Sequence, residues 1–266
     1  MLNSPSVIKI GGSLLKNDLA PFWAQVDTLA QKGPVIIVHG GGIQSTRLSA
    51  AIGHQPVFVN GRRITSAIDL QVHQWAVRGE INSGLVAAAY AGGIEAVGIS
   101  GADAGMIKVE KRPPWIVDGR EVDFGWVGDV VAVKTRALSA LLKANIVPVV
   151  APLGIDNSGA LYNVNADTVA VELAVAMAAE ELIFVTSTGG ILFGNPEKHP
   201  EILPILDHRA VTSGIEDGWI SDGMHMKLTA AMDGIQRGIS RIRITNTEGI
   251  SNAGSGTVLI REAVVC

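Results

Sequence analysis

Six short runs of apolar residues, most of them closed by Gly or Pro, constrain this chain more than anything else in it: Val7-Ile10, Val35-Val38, Ala96-Ile99, Ile146-Val150, Leu182-Thr186 and Arg241-Thr245. Runs that are apolar almost without interruption are what strands buried on both faces look like. Between them lie longer segments with helical spacing: Leu19-Gln31, Ser66-Tyr90, Lys134-Ala144, Ala166-Ala179 and Met224-Arg237. Strand and helix alternate, which predicts βα units feeding a mainly parallel sheet with helices on both faces. Two stretches break the alternation. Met106 to Val133 contains KRPPW, DGRE and GWVGD and reads as β-hairpins projecting from the sheet; Gly159 to Asn165 reads as a shorter one. A lobe boundary falls near Glu180, where a helix ends and a strand begins without a flexible linker.

With 266 residues, 47% of them hydrophobic, the chain can bury the core of one large domain or of two closely packed lobes. Its formal net charge of −4 lacks the basic excess of nucleic-acid-binding domains. The one cysteine, Cys266, cannot staple the fold, and no Cys/His cluster offers metal ligands. The opening MLNSPSVIKI has no basic region of a signal peptide, and the apolar run Val169 to Ala179 is too short for a bilayer and contains Glu172. The expectation is a soluble cytoplasmic protein without nucleic-acid or membrane partners.

Three glycine clusters follow three of the predicted strands: Gly11-Gly12, Gly40-Gly41-Gly42 and Gly189-Gly190. Ligands of open α/β sheets bind beyond the carboxyl ends of strands, where glycine lets the backbone come close and leaves N–H groups to meet an anion. Three such clusters together read as a cradle for phosphate or carboxylate rather than as tight turns alone. GxxxxGK[ST], the dinucleotide fingerprint, HExxH and GxSxG are all missing, which disfavours P-loop, Rossmann, zincin and α/β-hydrolase chemistry.

Two lysines fit an anionic ligand. Lys9 interrupts a buried strand just before Gly11-Gly12, where burying an ammonium needs anionic compensation, although it could also snorkel from an edge. Lys227 falls in the first turns of a helix, where the dipole disfavours a cation. Asn163, Asn165 and Asp167 alternate before an apolar helix; one of them is expected to cap it, and the three would share one face of an extended segment. In Gly61-Arg62-Arg63 a planar guanidinium suits a carboxylate, the plain alternative being a solvated pair. His39 beside the glycines reads as structural. The apolar helix Ser66-Tyr90 either pairs with its copy in a dimer or lies in the core.

The motifs IKIGGSLL, VIIVHGGG, NGRRIT, AVGISGAD, VGDV, NVNADTVA, GWISDGMHMKLTAAMDG and GSGTVLI, in that order from about Val7 to Ile260, resemble the amino acid kinase family. The resemblance is strongest to the branch that uses ATP to phosphorylate the γ-carboxylate of N-acetyl-L-glutamate in arginine biosynthesis. It implies an open αβα sandwich over residues 1–266, with an acyl-substrate and dimerisation lobe at 1–180 and a nucleotide lobe at 181–266. It also implies that Lys9 and Lys227 contact the transferring phosphoryl group and that Asp167 orders them. Gly41, Gly42, Arg63 and Asn163 would bind the acyl amino acid. Gly11, Gly12, Ser187, Thr188, Gly189, Gly190, Ile191, Leu192, Trp219, Ile220 and Ser221 would bind ATP, with Mg²⁺ bridging its β- and γ-phosphates and no metal held by the protein alone. An arginine-insensitive homodimer is implied by the short segment before Val7. Ser187 stands where the family usually has Asp. A carboxylate acceptor is already ionised at neutral pH, so alignment and charge stabilisation suffice without a general base. Two alternatives stay open: a kinase for carrier-protein-linked aminoadipate or glutamate, and a non-catalytic nucleotide-binding relative.

Overall fold

The computed structural model describes residues 3–193, 201–220 and 222–261. Its largest sheet has eight strands in the order Ile205–Leu206, Thr257–Leu259, Ile242–Thr245, Glu181–Val185, Ser6–Ile10, Val35–His39, Val147–Ala151 and Ala96–Ser100. Ser6–Ile10 and Ile242–Thr245 each run parallel to Glu181–Val185, and Val147–Ala151 runs parallel to Ala96–Ser100. Only Thr257–Leu259 beside Ile242–Thr245 is antiparallel among the pairings described. All six predicted strands belong to this sheet. Val35–His39, Val147–Ala151 and Glu181–Val185 are buried at every residue, as apolar runs covered on both faces must be. The result is a mixed α/β protein around a large, mainly parallel central sheet.

By internal contacts the chain forms two compact units, one made of Met1–Ile37 with Ala170–Cys266 and the other of Val38–Val169. These units do not follow a cut at residue 180, because the first 37 residues associate with the carboxyl-terminal part.

In the first unit, helix Ala20–Ala30 starts at Pro21, whose fixed φ suits a first turn, and buries Phe22, Trp23 and Val26. Helix His208–Glu216 is capped by Asp207, whose carboxylate accepts from the Ala210 N–H at 2.8 Å. Helix Asp222–Gln236 carries Lys227 in its second turn.

In the second unit, Ser66 and Asp69 form a reciprocal capping box that starts helix Ala67–Gln74. The helix then widens into a π-helical segment, Trp75–Ile81, before continuing as Asn82–Ala91. A four-stranded sheet, in the order Leu161–Asn163, Leu153–Ile155, Ile107–Lys111 and Gly128–Val133, contains both predicted irregular stretches. Two hairpins, Val57–Val59 with Arg62–Ile64 and Trp115–Val117 with Arg120–Val122, turn on Asn60-Gly61 and Asp118-Gly119. All four turn residues have positive φ, the geometry whose twist matches a two-residue hairpin.

Candidate functional site

In the first unit, Lys9 is the penultimate residue of Ser6–Ile10 and aligns with Phe184 of the neighbouring parallel strand. Aligned residues of neighbouring strands send their side chains to the same face. The ammonium of Lys227 lies 4.8 Å from the centroid of that same Phe184 ring. Both lysines are buried, at 8% and 9% exposure. Lys9, by register, and Lys227, by contact, are thus both directed toward Phe184 near the carboxyl end of a central strand.

The glycines beside them are not all there for the same reason. A Cβ at Gly11 would meet nothing nearer than 3.8 Å, so packing does not demand glycine there. Gly189 has a φ of +75°, and a Cβ at Gly190 would come within 2.5 Å of Ile202, so conformation and packing require both. Ser187 and Thr188 are exposed; the Thr188 hydroxyl donates to the Gly190 carbonyl at 3.0 Å and shapes the turn. Ile191 is buried and its N–H donates to Thr257 Oγ1 at 2.8 Å, while Leu192 begins a short strand with Phe193. Trp219 meets Phe193 edge to face at 5.3 Å, and Ile220 is buried beside it in the chain. Ser221 lies outside the described residues.

In the second unit, Gly41 and Gly42 open helix Gly42–Ala51. A Cβ at Gly41 would strike Val77 at 2.5 Å and Ile81 at 2.8 Å, both on the π-helical segment, whereas one at Gly42 would meet nothing within 4 Å. Gly41 is therefore a packing glycine, and Gly42 leaves open space above a helix amino terminus. Arg63 stands next to it: Nη2 donates to Thr46 Oγ1 at 2.6 Å and to the Gly42 carbonyl at 3.5 Å, and Nη1 reaches Asp69 at 3.4 Å. The guanidinium also lies 4.8 Å from the Phe58 ring centroid. Its side chain is 9% exposed, so the solvated-pair alternative does not hold for Arg63. Burial lowers its pKa and Asp69 opposes that, with the group still cationic at neutral pH. Burial raises the Asp69 pKa, but hydrogen bonds from Ser66 and His54 prevail and leave it below the usual carboxylate value. Arg62 takes the alternate direction and stacks over Trp115 at 4.9 Å.

Asn163 donates through Nδ2 to Thr65 Oγ1 at 3.2 Å. Asn165 caps helix Ala166–Ala176, its Oδ1 accepting from the N–H groups of Asp167 at 2.8 Å and Thr168 at 3.2 Å. Asp167 is already in the first helical turn. The expected shared extended face is therefore corrected: Asn163 ends a strand, Asn165 is the cap, and the change from a period of two to 3.6 parts their directions. His39 is fully buried and hydrogen-bonds Asn82 Nδ2 through Nε2 at 3.1 Å, while that amide also donates to the Val149 carbonyl at 2.9 Å; the histidine ties helix to sheet.

Thr46 and Asp69, which hold Arg63, did not stand out in the sequence. The Ser66-x-x-Asp69 spacing of a capping box was the signal that could have marked Asp69. Among the described residues no group of three or more His, Cys, Asp or Glu could hold a metal ion, and no helix is long and apolar enough to cross a membrane.

The sheet is open and mainly parallel with glycine-lined strand ends, and the family model for the amino acid kinase family matches residues 5–246; the chain belongs to that family. It is 37% identical over 257 residues to the acetylglutamate kinase of Phocaeicola vulgatus, covering 96% of this chain and 97% of the relative. It is 39% identical over 261 residues to the acetylglutamate kinase of Methanopyrus kandleri, covering 95% and 99%. Among solved structures, N-acetylglutamate synthase from Neisseria gonorrhoeae, complexed with coenzyme A and N-acetyl-glutamate, superposes with a TM-score of 0.81 at 25% identity, over 98% of this chain and 60% of that one.

Proposed function

We propose that this chain is an acetylglutamate kinase, transferring the γ-phosphoryl group of ATP to the γ-carboxylate of N-acetyl-L-glutamate and releasing ADP and the acyl phosphate, a step of arginine biosynthesis. The near full-length similarity to acetylglutamate kinases supports the choice of acceptor. The observation that carries the chemistry is the pair of buried lysines at Phe184. Two buried ammonium-bearing side chains directed toward one central strand suit a multiply charged triphosphate.

The acceptor carboxylate is a nucleophile without losing a proton, so the protein's task is alignment and stabilisation of charge in the in-line transition state. Lys9 and Lys227 take the charge on the moving phosphoryl oxygens, and Asp167 is the acidic member of the catalytic group. Gly11, Gly12 and the segment Ser187–Leu192 with Trp219–Ser221 hold the nucleotide; the space above Gly11 supports close approach of phosphate. Arg63 binds the substrate α-carboxylate, Asn163 its amide, and the Gly41 and Gly42 N–H groups its acyl oxygens; the open space at Gly42 supports this. Mg²⁺ brought in with the nucleotide would supply further charge neutralisation beside Lys9 and Lys227. A homodimer in the cytoplasm is part of the same reading.

The test is ADP release by purified protein with Mg²⁺–ATP and N-acetyl-L-glutamate, with glutamate and aminoadipate, free and carrier-linked, as comparison acceptors. The expected result is turnover with N-acetyl-L-glutamate, and a kcat about a hundredfold lower for Lys9→Ala or Lys227→Ala with both KM values little changed. Preference for a carrier-linked acceptor, or near-normal turnover by Lys9→Ala, would overturn the reading.

A further inference from the structure

Among the described residues Arg243 is the largest charged side chain that is buried, at 1% exposure, in the fully buried strand Ile242–Thr245. Its guanidinium is saturated. Nε and Nη2 donate to the two oxygens of Glu181 at 3.0 and 3.2 Å, from the adjacent strand. Nη2 also donates to the Ile250 carbonyl at 2.7 Å, and Nη1 to the carbonyls of Gly249, Asn252 and Ser255 at 2.5, 3.0 and 3.4 Å. The loop between Ile242–Thr245 and Thr257–Leu259 is thus wrapped around one cation, with Ser251 held from outside by Gln25 at 2.6 Å. A buried ion pair contributes little net stability compared with apolar packing, but it can specify one arrangement. Four inward-turned carbonyls have no apolar substitute.

The wrapped loop leads to the segment assigned above to the nucleotide. Asn246, at its start, lies 3.5 Å from where a Cβ would stand on Gly189. Thr257, at its end, accepts the Ile191 N–H at 2.8 Å, and Thr245 accepts the Thr186 N–H at 2.8 Å. Both ends of the loop therefore support Thr186–Ile191. We infer that Arg243, clamped by Glu181, is a positioning residue for nucleotide binding: by gathering the carbonyls of 249–255 it sets the position of Asn246 and Thr257 and, through them, of the Gly189-Gly190 turn. The inference rests on the reading of Ser187–Leu192 as a nucleotide segment.

Arg243→Lys keeps the charge but offers a compact three-donor group in place of a planar fork. Calorimetry with a non-hydrolysable ATP analogue should give a Kd about tenfold weaker, in line with the cost of a small misplacement, with the KM for N-acetyl-L-glutamate unchanged. Hydrogen exchange should quicken at 186–191 and 246–257 before any nucleotide is added. Where Arg243→Lys does not fold, Glu181→Gln, which keeps the carbonyl cage but removes the counter-charge, takes its place with the same expectation at smaller size. A folded variant with analogue affinity within twofold of the wild type and unchanged exchange would overturn the positioning role. Wild-type protein that binds no analogue would instead overturn the nucleotide reading, and faster exchange at 186–191 would then stand as support for the mechanical link alone.

Discussion

His73 is a base kept neutral by its surroundings. It is fully enclosed, its Nδ1 meets the Ser45 hydroxyl at 2.9 Å, and its Nε2 has no hydrogen-bond partner among the described residues. Burial, and then the electrostatic influence of Arg63 and of His39, lower its pKa from 6.5 to about 3. The unfolded chain takes up a proton near pH 6.5 that the folded chain refuses. Stability tied to this group is therefore full above that pH and declines as pH falls toward 3, at up to about 1.4 kcal/mol per pH unit. His73→Gln, which still offers Ser45 a partner, should flatten this decline by nearly one proton between pH 6 and 4, measured by urea unfolding at several pH values. Equal slopes in the two proteins would contradict it.

The π-helical segment Trp75–Ile81 buries Ala76, Val77 and Ile81, and two of these press against Gly41. The φ of Gly41, 176°, lies outside the left-handed region, and the contact with Val77 and Ile81 is the restriction the packing imposes there. Gly41→Ala should cost about 1–3 kcal/mol through overpacking, and Val77→Ala in the same chain should recover part of it. Gly42→Ala, with free space around it, should leave stability within about 0.5 kcal/mol and raise the acyl-substrate KM instead. Urea unfolding and steady-state kinetics on the two single variants separate these outcomes; equal stability of both would count against the packing account. The elements were legible to different depths. Most of the six sheet strands could be read because a strand covered on both faces has few polar residues to blur its limits, Lys9 and Arg243 being the charged exceptions. Helix Gly42–Ala51 could not, because it opens on glycine and buries Gln44, Ser45 and Ser49, leaving no apolar period to detect. The lysines and glycines of the site lie in short local motifs, but the Arg63–Thr46 and Arg63–Asp69 pairings arise only when a hairpin folds back on two helices. Asn163 to Asp167 looked extended because the alternation continues across a cap, where side-chain identity does not reveal that the backbone has changed period.

At the scale of the molecule, the residues assigned to phosphate and nucleotide, Asp167 apart, belong to one compact unit and those assigned to the acyl amino acid to the other. Ligand-specific protection in hydrogen exchange should follow that division. An ATP analogue should slow exchange at Gly11-Gly12 and 187–192, and N-acetyl-L-glutamate at Gly41-Gly42 and 62–65; protection by either ligand confined to the opposite set would refute the assignment. The unit that carries the lysines is also discontinuous, since Ser6 pairs with Glu181 across the whole intervening segment. During synthesis its first strand leaves the ribosome on the order of ten seconds or more before Glu181–Val185, its neighbour on one side, exists, although Val35–His39 on the other side follows at once. Over that interval one edge of Ser6–Ile10 waits without its partner strand while Val38–Val169 is completed, so the newborn chain should depend on chaperones to cover that edge until Glu181–Val185 emerges.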